Sequence, residues 1–361
     1  MRETAAERHD RLLGLVRERG SARVSDLASQ LGVSPVTARR DVEELAGRGL
    51  LDRVHGSVSW PQDHGAPGAA TGTGSGLVLG MLAPSATYYF AEVIRGAHEA
   101  AARAGARLIL RISDYRPEDD HARTEGLLSA GAEGLLIAPG WQHPGDPAAF
   151  GDWIASLPVP TVLLERRPAA GSRLDGLDRV CSDHAHGVLL AVRHLVELGH
   201  GAPLLMARAD SPTAVAVRSG YAEALAVLGL RAPRDVIDSV PAELAPDAFE
   251  AAVQALREAV DSGVATAALI HNDISAIQVV QRLAELGVRV PDDLALIAYD
   301  DEVAALADTP LTAVAPPKRD VGRQATELLV ERLGEGAGAP RCHLTLLPQL
   351  RVRDSCGSPL P

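Results

Sequence analysis

Aromatic residues are scarce in this chain: only 3% of its 361 residues are Phe, Trp or Tyr. Aliphatic side chains must therefore fill its cores, and the hydrophobic fraction of 46% is large enough for this. Cysteine is rarer still. The sequence has three, an odd number, and they are widely spaced: Cys181, Cys342 and Cys356. This pattern suits neither a disulfide framework nor a zinc site. We therefore expect reduced thiols, and we predict that the protein needs no metal and no cofactor.

Long apolar runs and a secretion signal are also missing. A membrane span needs about 18 uninterrupted apolar residues, and no stretch of this sequence approaches that length. The N-terminal residues M-R-E-T-A-A-E-R-H-D contain no apolar segment of the kind that a signal peptide requires. We expect a cytoplasmic protein that does not contact a membrane.

Motifs of the common enzyme classes are absent as well. The sequence contains no G-x-x-x-x-G-K-[ST], no G-x-G-x-x-G after a strand, no G-x-S-x-G and no H-E-x-x-H. His184 and His186 are two positions apart and would not face each other on a helix, so they do not suggest a metal site. We predict that the protein is not an enzyme.

The chain also lacks an overall excess of basic residues, since its formal net charge is −12. Read over the whole chain, that charge argues against nucleic-acid binding. The charge is unevenly distributed, however: residues 1–60 contain ten arginines and nine acidic residues, and the remainder is strongly acidic. An anionic partner would therefore bind to residues 1–60 rather than to the acidic remainder of the chain.

Three zones follow one another along the chain. Residues 1–60 are rich in charge and have a helical period. Residues 61–76 contain five glycines and two prolines with almost no apolar bulk, which predicts a flexible linker without a hinge helix. Residues 77–356 alternate short apolar runs with amphipathic stretches and form the third zone.

The third zone has the pattern of parallel βαβ units. Apolar runs occur at 77–82, 107–112, 134–138, 160–164, 179–182, 203–207, 267–270 and 294–298. Helical patterns such as 90–104, 184–198, 213–228 and 273–287 lie between most of them. This alternation predicts an α/β fold with two doubly wound lobes. We expect one lobe from 77–179 with 318–338, and the other from 180–315 with 340–356. Ligands should bind beyond the carboxyl ends of the strands.

The N-terminal zone has the signals of a helix-turn-helix. Ser25 is a plausible N-cap of a helix through Leu31, and Gly32 would end it. Ser34 and Pro35 then form a strong start signal for a second helix. The next segment, G-L-L-D-R-V-H-G-S-V-S-W, alternates around a glycine turn and predicts a small β-wing.

A helical wheel separates the two faces of the second helix. Ala38, Val42 and Leu45 fall on one side and should face inward. Polar and basic groups on the other side and on the wing have the chemistry to contact bases and phosphates. The predicted DNA-binding residues are Ser34, Pro35, Val36, Thr37, Arg39, Arg40, Arg53 and His55. The alternative is that Arg39 and Arg40 only pair with nearby glutamates on a solvated face.

This zone resembles the DeoR-type winged helix-turn-helix over about residues 7–58. The sequence V-S-P-V-T-A-R-R-D, a later Leu45 and then R-V-H-G match the family pattern V-S-x-x-T-x-R-R-D, L and R-x-x-G-G. Ser57 replaces the second glycine of the wing, which is a departure from that pattern. The resemblance implies sequence-specific binding to duplex DNA.

The third zone resembles the LacI/GalR-type sensor, which has a type I periplasmic-binding-protein fold. Matching segments are F-A-E-V-I-R-G-A-H-E-A-A, E-G-L-L-I-A-P, V-C-S-D-H-A-H-G, H-N-D-I-S-A-I and V-P-D-D-L-A-L-I-A-Y-D-D. The DNA-binding head and hinge helix typical of that family are replaced here by the DeoR-type head and the linker. The resemblance implies a ligand site between the two lobes.

Carried over to this chain, the resemblance implies ten ligand-binding residues: Tyr88, Tyr89, Phe90, Asp114, Glu165, Arg166, Asp183, Arg218, Asn272 and Asp300. Carboxylates and guanidiniums suit paired hydroxyls, and aromatic rings suit the apolar face of a sugar. Other roles stay open for some of them. Asp183 could only cap a helix, Asp300 could be a turn carboxylate, and Tyr88 or Phe90 could belong to a core. Arg218 is one position away from the usual spacing.

Together these patterns predict a transcriptional regulator, by default a repressor, whose operator binding responds to a small polar effector such as a sugar. We expect a homodimer, because one helix-turn-helix reads only a half-site. The competing interpretation is a solute-binding or chemoreceptor-type protein that does not regulate DNA. Such a protein would share the two lobes, but it would carry a secretion signal and would lack a DNA-binding head.

Overall fold

The computed structural model describes residues 11–12, 15–16, 21–31, 33, 37–38, 41–42, 52–54, 57–59, 76–143, 146–335 and 339–358. The chain divides into two compact units, Met1–Thr73 and Gly74–Pro361. The division falls inside the predicted linker, of which residues 61–75 lie outside the described part.

The first unit contains a small antiparallel sheet and a helix, α1 (Val24–Leu31). The strands are β1 (Ser21–Arg23), β2 (Asp52–Val54) and β3 (Ser57–Ser59), in the order β1-β3-β2. Strands β2 and β3 pair antiparallel, which confirms the predicted wing. Strand β1 was not predicted, because a three-residue Ser-Ala-Arg segment has no apolar alternation that would reveal it.

The core of the first unit is aliphatic. Its buried side chains are Leu12, Val16, Leu27, Ala28, Leu31, Ala38 and Val42. The predicted inward face of the second helix is thus confirmed at Ala38 and Val42, whereas Leu45 lies outside the described residues. Helix α1 begins at Val24 directly after β1, so Ser25 lies in the first turn and is not the N-cap. The Val33 amide donates to the Ala28 carbonyl at 3.0 Å beyond the end of α1.

The second unit has two lobes, each built on a six-stranded sheet. The strands of lobe 1 are β4 (Val78–Ala83), β5 (Arg107–Ile112), β6 (Gly134–Ile137), β7 (Thr161–Leu164), β8 (Asp178–Ser182) and β14 (His343–Leu346). Their order is β14-β8-β7-β6-β4-β5, and all neighbours are parallel. Side chains of β4 enter cores on both faces of the sheet, Leu79 and Met81 on one face and Leu82 on the other. Burial on both faces explains the uninterrupted apolar runs.

Lobe 2 repeats this architecture with one reversed edge strand. Its strands are β9 (Leu204–Ala207), β10 (Ile237–Asp238), β11 (Ala267–His271), β12 (Ala295–Tyr299), β13 (Thr312–Ala315) and β15 (Gln349–Arg351). Their order is β10-β9-β11-β12-β13-β15, and β15 runs antiparallel to β13. Two separate apolar clusters flank the sheet, so lobe 2 is also doubly wound.

Helices connect most of the strands. They are α2 (Tyr89–Arg103), α3 (Pro117–Ser129), α4 (Asp146–Phe150), α5 (His184–Glu197), α6 (Pro212–Val227), α7 (Pro246–Asp261), α8 (Asp273–Glu285) and α9 (Lys318–Glu335). Short 3₁₀ turns occur at Asp152–Ser156, Ala304–Leu306 and Asp354–Cys356. None of the helices in the described ranges is long and apolar enough to cross a lipid bilayer.

Helices α2 and α9 cross closely in lobe 1, where glycine is required on both sides. A Cβ on Gly96 of α2 would overlap the Arg319 carbonyl oxygen, and a Cβ on Gly322 of α9 would overlap that of Val93. This contact attaches α9, which comes late in the sequence, to the first helix of the lobe.

The chain crosses between the lobes three times, from β8 to α5, from β13 to α9 and from β14 to β15. This differs from the predicted division at residue 180, because that residue lies inside β8 and the whole strand belongs to lobe 1. Strand β14 pairs with β8 and also belongs to lobe 1, although we assigned 340–356 to lobe 2. Pairing with distant strands, which no local pattern encodes, decides both memberships.

Candidate functional site

The carboxyl ends of the central strands in both lobes open onto one cavity of about 330 Å³. Ligands bind at this edge in open α/β sheets. Seven of the ten predicted ligand residues line it: Tyr88, Tyr89, Phe90, Glu165, Arg166, Asn272 and Asp300. The fold thus brings together side chains that lie up to 212 positions apart in the sequence.

Backbone strain is concentrated at the same edge. Six non-glycine residues in the described ranges have positive φ angles, and all of them lie in loops after β4, β5, β7 and β12: Tyr88, Asp114, Tyr115, Glu165, Asp300 and Asp301. Residues held in sparsely populated backbone regions cost about 1–3 kcal/mol each and cluster at ligand-binding and switch sites. The distribution of strain therefore points to this cavity as the functional region.

Tyr88 connects the two lobes across the cavity. Its phenol donates to Asp273 Oδ1 at 2.5 Å and lies 3.3 Å from Asp300 Oδ2. Burial raises the pKa of Tyr88, and the negative charges of Asp300 and Asp273 raise it further. The phenol therefore stays protonated and acts as a donor from lobe 1 to lobe 2.

Asp273 holds the loop that carries Asp300. Its side chain is fully buried, and its Oδ2 accepts three backbone N–H groups, from Glu302 and Val303 at 2.6 Å and from Ala304 at 3.1 Å. A carboxylate bonded to several amides is a rigid anchor. Asp273 therefore fixes the geometry of the loop after β12.

Asp300 is a buried carboxyl group with an unused oxygen. Its side chain is 3% exposed, and Oδ1 has no hydrogen-bond partner in the described part of the chain. Burial raises the pKa of Asp300 to about 7, against the attraction of Lys318 and with the repulsion of Asp273. A buried polar atom without a partner costs about 1–3 kcal/mol. A donor group on a ligand would remove that cost.

His271 lies beside Asp300 at the end of β11 and was not predicted. Burial lowers the pKa of His271 to about 3, with the charges of His184 and Arg208 acting in the same direction. Its ring is therefore neutral. Nδ1 has no partner among the residues described, and Nε2 is 4.0 Å from Asp300 Oδ2. His271 and Asp300 together offer two unused buried polar atoms in the cavity wall.

Glu165 organises the lobe 1 side of the cavity. Its carboxylate accepts hydrogen bonds from the Tyr89 phenol and the Ser182 hydroxyl, both at 2.8 Å, and from the Ser182 amide at 3.0 Å. His184 Nε2 is 3.8 Å away, and burial lowers the pKa of His184 although Glu165 acts to raise it. His184 Nδ1 also lies 3.0 Å from the Tyr299 hydroxyl. These polar contacts link the crossover at β8 to lobe 2.

Lobe 2 also contributes a guanidinium–carboxylate pair that we did not predict. Arg208 donates to both oxygens of Asp210, at 2.7 and 2.6 Å, in the loop after β9. Ser211 then caps α6 by accepting the Ala214 amide at 3.1 Å. The available signal was the position of R-A-D-S directly after a buried strand.

Three predicted ligand residues are not part of the cavity wall. Asp114 is exposed to solvent, and its neighbour Tyr115 lines the cavity instead. Asp183 caps α5 by accepting the His186 amide at 3.0 Å, which is the alternative role left open above.

Arg218 is the third. It donates to the Arg208 carbonyl at 2.8 Å and to Asp238 at 2.6 Å, and it also contacts the Ala207 carbonyl. Its guanidinium therefore joins the ends of β9 and β10 behind the cavity wall.

Further wall residues were missed by the sequence analysis: Ser85, Thr87, Tyr115, Gln142, Arg208, Asp210, Thr213 and His271. Most of them lie in loops that follow strands. That position alone does not distinguish them from residues such as Asp114, because the direction of each side chain depends on the backbone geometry of the loop.

The predicted DNA-binding residues are only partly described. Thr37 lies in a helical segment and is half-buried, and Arg53 is the central residue of β2. The others lie outside the described residues: Ser34, Pro35, Val36, Arg39, Arg40 and His55. The DNA contacts of the first unit thus stay a prediction.

Family models match both units of the chain. Residues 8–63 match the DeoR-like helix-turn-helix domain, and residues 192–356 match the periplasmic binding protein-like domain. The second match covers most of lobe 2 and part of lobe 1.

Curated relatives match over most of the chain. The chain is 28% identical to the HTH-type transcriptional repressor PurR of Vibrio atlanticus, over 86% of this chain and 92% of that protein. It is 25% identical to the arabinose metabolism transcriptional repressor of Geobacillus stearothermophilus, over 91% of this chain and 89% of that protein.

Solved structures share the fold. The lac repressor dimer bound to operator and the anti-inducer ONPF matches 78% of this chain and 94% of that chain, with a TM-score of 0.63 and 22% identity. A LacI family transcriptional regulator from Mycobacterium smegmatis matches 77% of this chain and 98% of that chain, with a TM-score of 0.62 and 25% identity. Residues 8–63 thus match a DeoR-like helix-turn-helix domain, and the second unit has the fold of a periplasmic binding protein-like domain.

Proposed function

We propose that this protein is a DNA-binding transcriptional repressor whose operator affinity is controlled by a small polar effector in the cavity between lobes 1 and 2. One observation carries the proposal: a chain with a DNA-binding type of domain also has a buried interlobe cavity where strain and unpartnered polar atoms coincide. Since its partner would be chromosomal DNA, the proposal places the protein in the cytoplasm.

The cavity favours a hydroxylated effector. Asp300 Oδ1 and His271 Nδ1 can each form one further hydrogen bond, and Asn272 and Arg208 add polar groups nearby. The tyrosine rings supply apolar surface. A volume of about 330 Å³ lies in the usual range of about 300–1,000 Å³ for small-molecule sites. A sugar or a related polyol fits this chemistry.

For the DNA contacts, the proposal keeps the sequence-based assignment of Arg39 and Arg40 to base edges and phosphates. Buried Ala38 and Val42 support it, because they fix which face of the helix belongs to the core. The wing strands β2 and β3 supply the second element that this type of domain uses. Ligand binding would then change operator affinity through a coupling energy of about 1–3 kcal/mol.

DNA selection tests the function directly. The full chain would be used to enrich sites from a random duplex library, and we expect a two-fold symmetric sequence. Arg40→Ala should lower affinity for that sequence about 5- to 150-fold, the equivalent of about 1–3 kcal/mol. Arg95→Ala is the matched control, because Arg95 is an exposed arginine of lobe 1 that pairs with Glu92. No enrichment, or unchanged affinity in both Arg39→Ala and Arg40→Ala, would contradict the proposal and favour a solute-binding protein.

We also propose that the protein is a homodimer and that lobe 2 contributes to the interface. Ile274 and Leu306 are large apolar side chains with 44% and 81% exposure, and the elements that carry them are in contact, since Asp273 bonds the Ala304 amide. Leu244, 76% exposed, lies in a loop that contacts α8, because the adjacent Glu243 accepts a hydrogen bond from Gln278. Exposed apolar side chains that cluster in this way mark interaction sites.

Sedimentation velocity of the full chain at micromolar concentration tests this interface. We expect a dimer for the native chain and a monomer for Leu306→Asp. Val227→Asp is the control, since Val227 is 67% exposed but lies at the end of α6. A monomeric native chain, or a dimer that tolerates Leu306→Asp, would exclude the proposed interface.

A further inference from the structure

Arg166 differs from the other buried lysine and arginine residues. In the described ranges these are Arg166, Lys318 and Arg332. Lys318 forms an ion pair with Glu302, and Arg332 forms one with Asp178. Arg166 is only 4% exposed, yet no carboxylate of a described residue lies within ion-pair distance of it.

The guanidinium of Arg166 contacts neutral groups instead. Nε and Nη2 donate to the Pro139 carbonyl at 3.0 and 2.6 Å, and Nη1 donates to the Glu165 carbonyl at 2.9 Å. The Phe90 ring lies 5.9 Å from Cζ, which is a weak cation–π contact. Of the five N–H donors of an arginine, two are left for another partner.

Glu165 and Asp120 are the acidic side chains whose charges act on Arg166, and neither forms an ion pair with it. Glu165 accepts bonds from Tyr89 and Ser182, whereas Asp120 Oδ2 accepts the Gly140 amide at 2.8 Å and Asp120 Oδ1 has no partner in the described part of the chain. Burial lowers the pKa of Arg166 even though the charges of Glu165 and Asp120 act to raise it. A buried cation that lacks a counter-ion is costly and becomes favourable when an anion reaches it.

Arg166 lies where such an anion can arrive. It lines the interlobe cavity and also a second chamber of about 770 Å³, and the two spaces share Gln142, Glu165, Arg166, Pro212 and Thr213. The second chamber also has two exposed arginines, Arg167 and Arg173, on its wall. Arg166 is therefore at the junction of two spaces, and the wall of the second chamber carries three arginines against two acidic residues, Asp152 and Glu165.

We propose that the effector carries an anionic group, a carboxylate or a phosphate, that binds Arg166 at this junction. Its hydroxyl-bearing part lies in the smaller cavity and donates to Asp300 Oδ1. The effector class is then a sugar acid or a sugar phosphate rather than a neutral sugar. A planar guanidinium suits both anions, because it can donate two parallel hydrogen bonds. This inference rests on the proposed function, in which this cleft is the effector site.

Thermal unfolding of the full chain tests the inference without DNA, so its failure is distinguishable from failure of the proposed function. The probes are inorganic phosphate against chloride at equal ionic strength, and glucose against gluconate and glucose 6-phosphate. We expect at least one anion to raise the melting temperature more than its neutral or chloride counterpart. At ten times its Kd, a ligand should raise it by about 3 °C.

Arg166→Gln should abolish that rise. Arg173→Gln removes the same charge from an exposed position of the second chamber and should retain most of it. Gluconate and glucose 6-phosphate distinguish a carboxylate site from a phosphate site. The inference is overturned if no anion stabilises the native chain beyond its counterpart, or if Arg166→Gln responds as the native chain does.

A second variant covers the case in which Arg166→Gln does not fold. Arg166→Lys keeps the positive charge, but an ammonium group cannot donate to the Pro139 and Glu165 carbonyls and also present two parallel N–H donors to an anion. We expect its apparent affinity for the anion to fall at least about tenfold. An unchanged affinity in Arg166→Lys would also overturn the inference.

Discussion

In the second unit, buried polar groups at the amino ends and at the carboxyl ends of the strands differ in how completely they are hydrogen-bonded. At the amino end of β8, the buried Asp178 is fully paired, because it accepts bonds from Arg332, Arg341 and the Cys342 amide at 2.7–2.9 Å. At the carboxyl ends, buried side chains retain atoms without partners in the described structure: Ser113, Trp141, Ser239, His271 and Asp300. The strained φ angles lie at this end as well. One end stabilises the fold, and the other leaves bonding capacity for a ligand.

Two aspartates show the difference most directly. Burial acts to raise the pKa of Asp178, but bonds from Arg332, the Cys342 amide and Arg341 bring it below its ordinary value. Burial raises the pKa of Asp300 to about 7, and its neighbours do not restore it. The same residue type is therefore a stabilising anion at one end and a costly group at the other.

Asp178→Asn should have the largest effect on stability. It leaves Arg332, which is 6% exposed, without its buried counter-ion. Breaking one partner of such a pair costs about 3–5 kcal/mol in free energy of unfolding. Arg341→Gln is the control, since Arg341 contacts the same carboxylate but is 50% exposed, and it should cost under about 1 kcal/mol. Urea unfolding followed by tryptophan fluorescence measures both; equal losses would contradict the comparison.

Asp300→Asn should change how stability depends on pH. In the native chain the folded pKa of about 7 lies above the ordinary value near 4, so this group stabilises at low pH and loses its contribution as pH rises through 7. Relative to Asp300→Asn, the native chain should lose up to about 4 kcal/mol between pH 4 and pH 8. His271, with its lowered pKa, acts in the opposite sense as pH falls below about 6.5. Because His271 is present in both proteins, the difference between their unfolding free energies isolates Asp300. Parallel curves of unfolding free energy against pH would contradict the raised pKa of Asp300.

Tyr88→Phe and Tyr221→Phe compare one hydroxyl at each end. Tyr88 donates to a carboxylate across the lobes at the carboxyl ends, and hydrogen bonds to charged groups contribute about 1.5–3 kcal/mol. Tyr221 donates to the Pro203 carbonyl just before β9, at 2.6 Å, a neutral bond that contributes about 0.5–1.5 kcal/mol.

Tyr88→Phe should therefore destabilise the chain more than Tyr221→Phe in the same urea experiment. It should also alter the response to the anionic probes, which Tyr221→Phe should leave unchanged. A reversed order of the two losses would show that Tyr88 is not an important connection between the lobes.

Local sequence patterns were sufficient for the framework of this protein. The eight predicted apolar runs became β4 to β9, β11 and β12, because strands buried on both faces need continuous aliphatic residues. Four strands in the described part of the second unit escaped detection, as did β1 in the first unit. Strand β10 has only two residues, β14 and β15 alternate with exposed positions, and β13 precedes prolines. Short edge strands carry too little apolar pattern to be recognised.

The candidate site could be located from the sequence but not completed. The rule that ligands bind after parallel strands, with the LacI resemblance, pointed to seven residues that line the cavity. It could not separate Asp183, which caps a helix, or Arg218, which braces two strand ends, from true wall residues. Both residue types suit a ligand site, and only the direction of the side chain excludes them.

The sequence by itself determined the order of the eight strands with apolar runs and of the helices between them, the α/β class and the presence of a helix-turn-helix, since these depend on local periodicity and capping. The tertiary structure alone decided that β8 and β14 share a lobe and that, among the described residues, Asp300 retains a free oxygen and Arg166 has no counter-ion. Those properties depend on which distant groups become neighbours, and hydrogen-bond partners and desolvation are set only when the chain has folded.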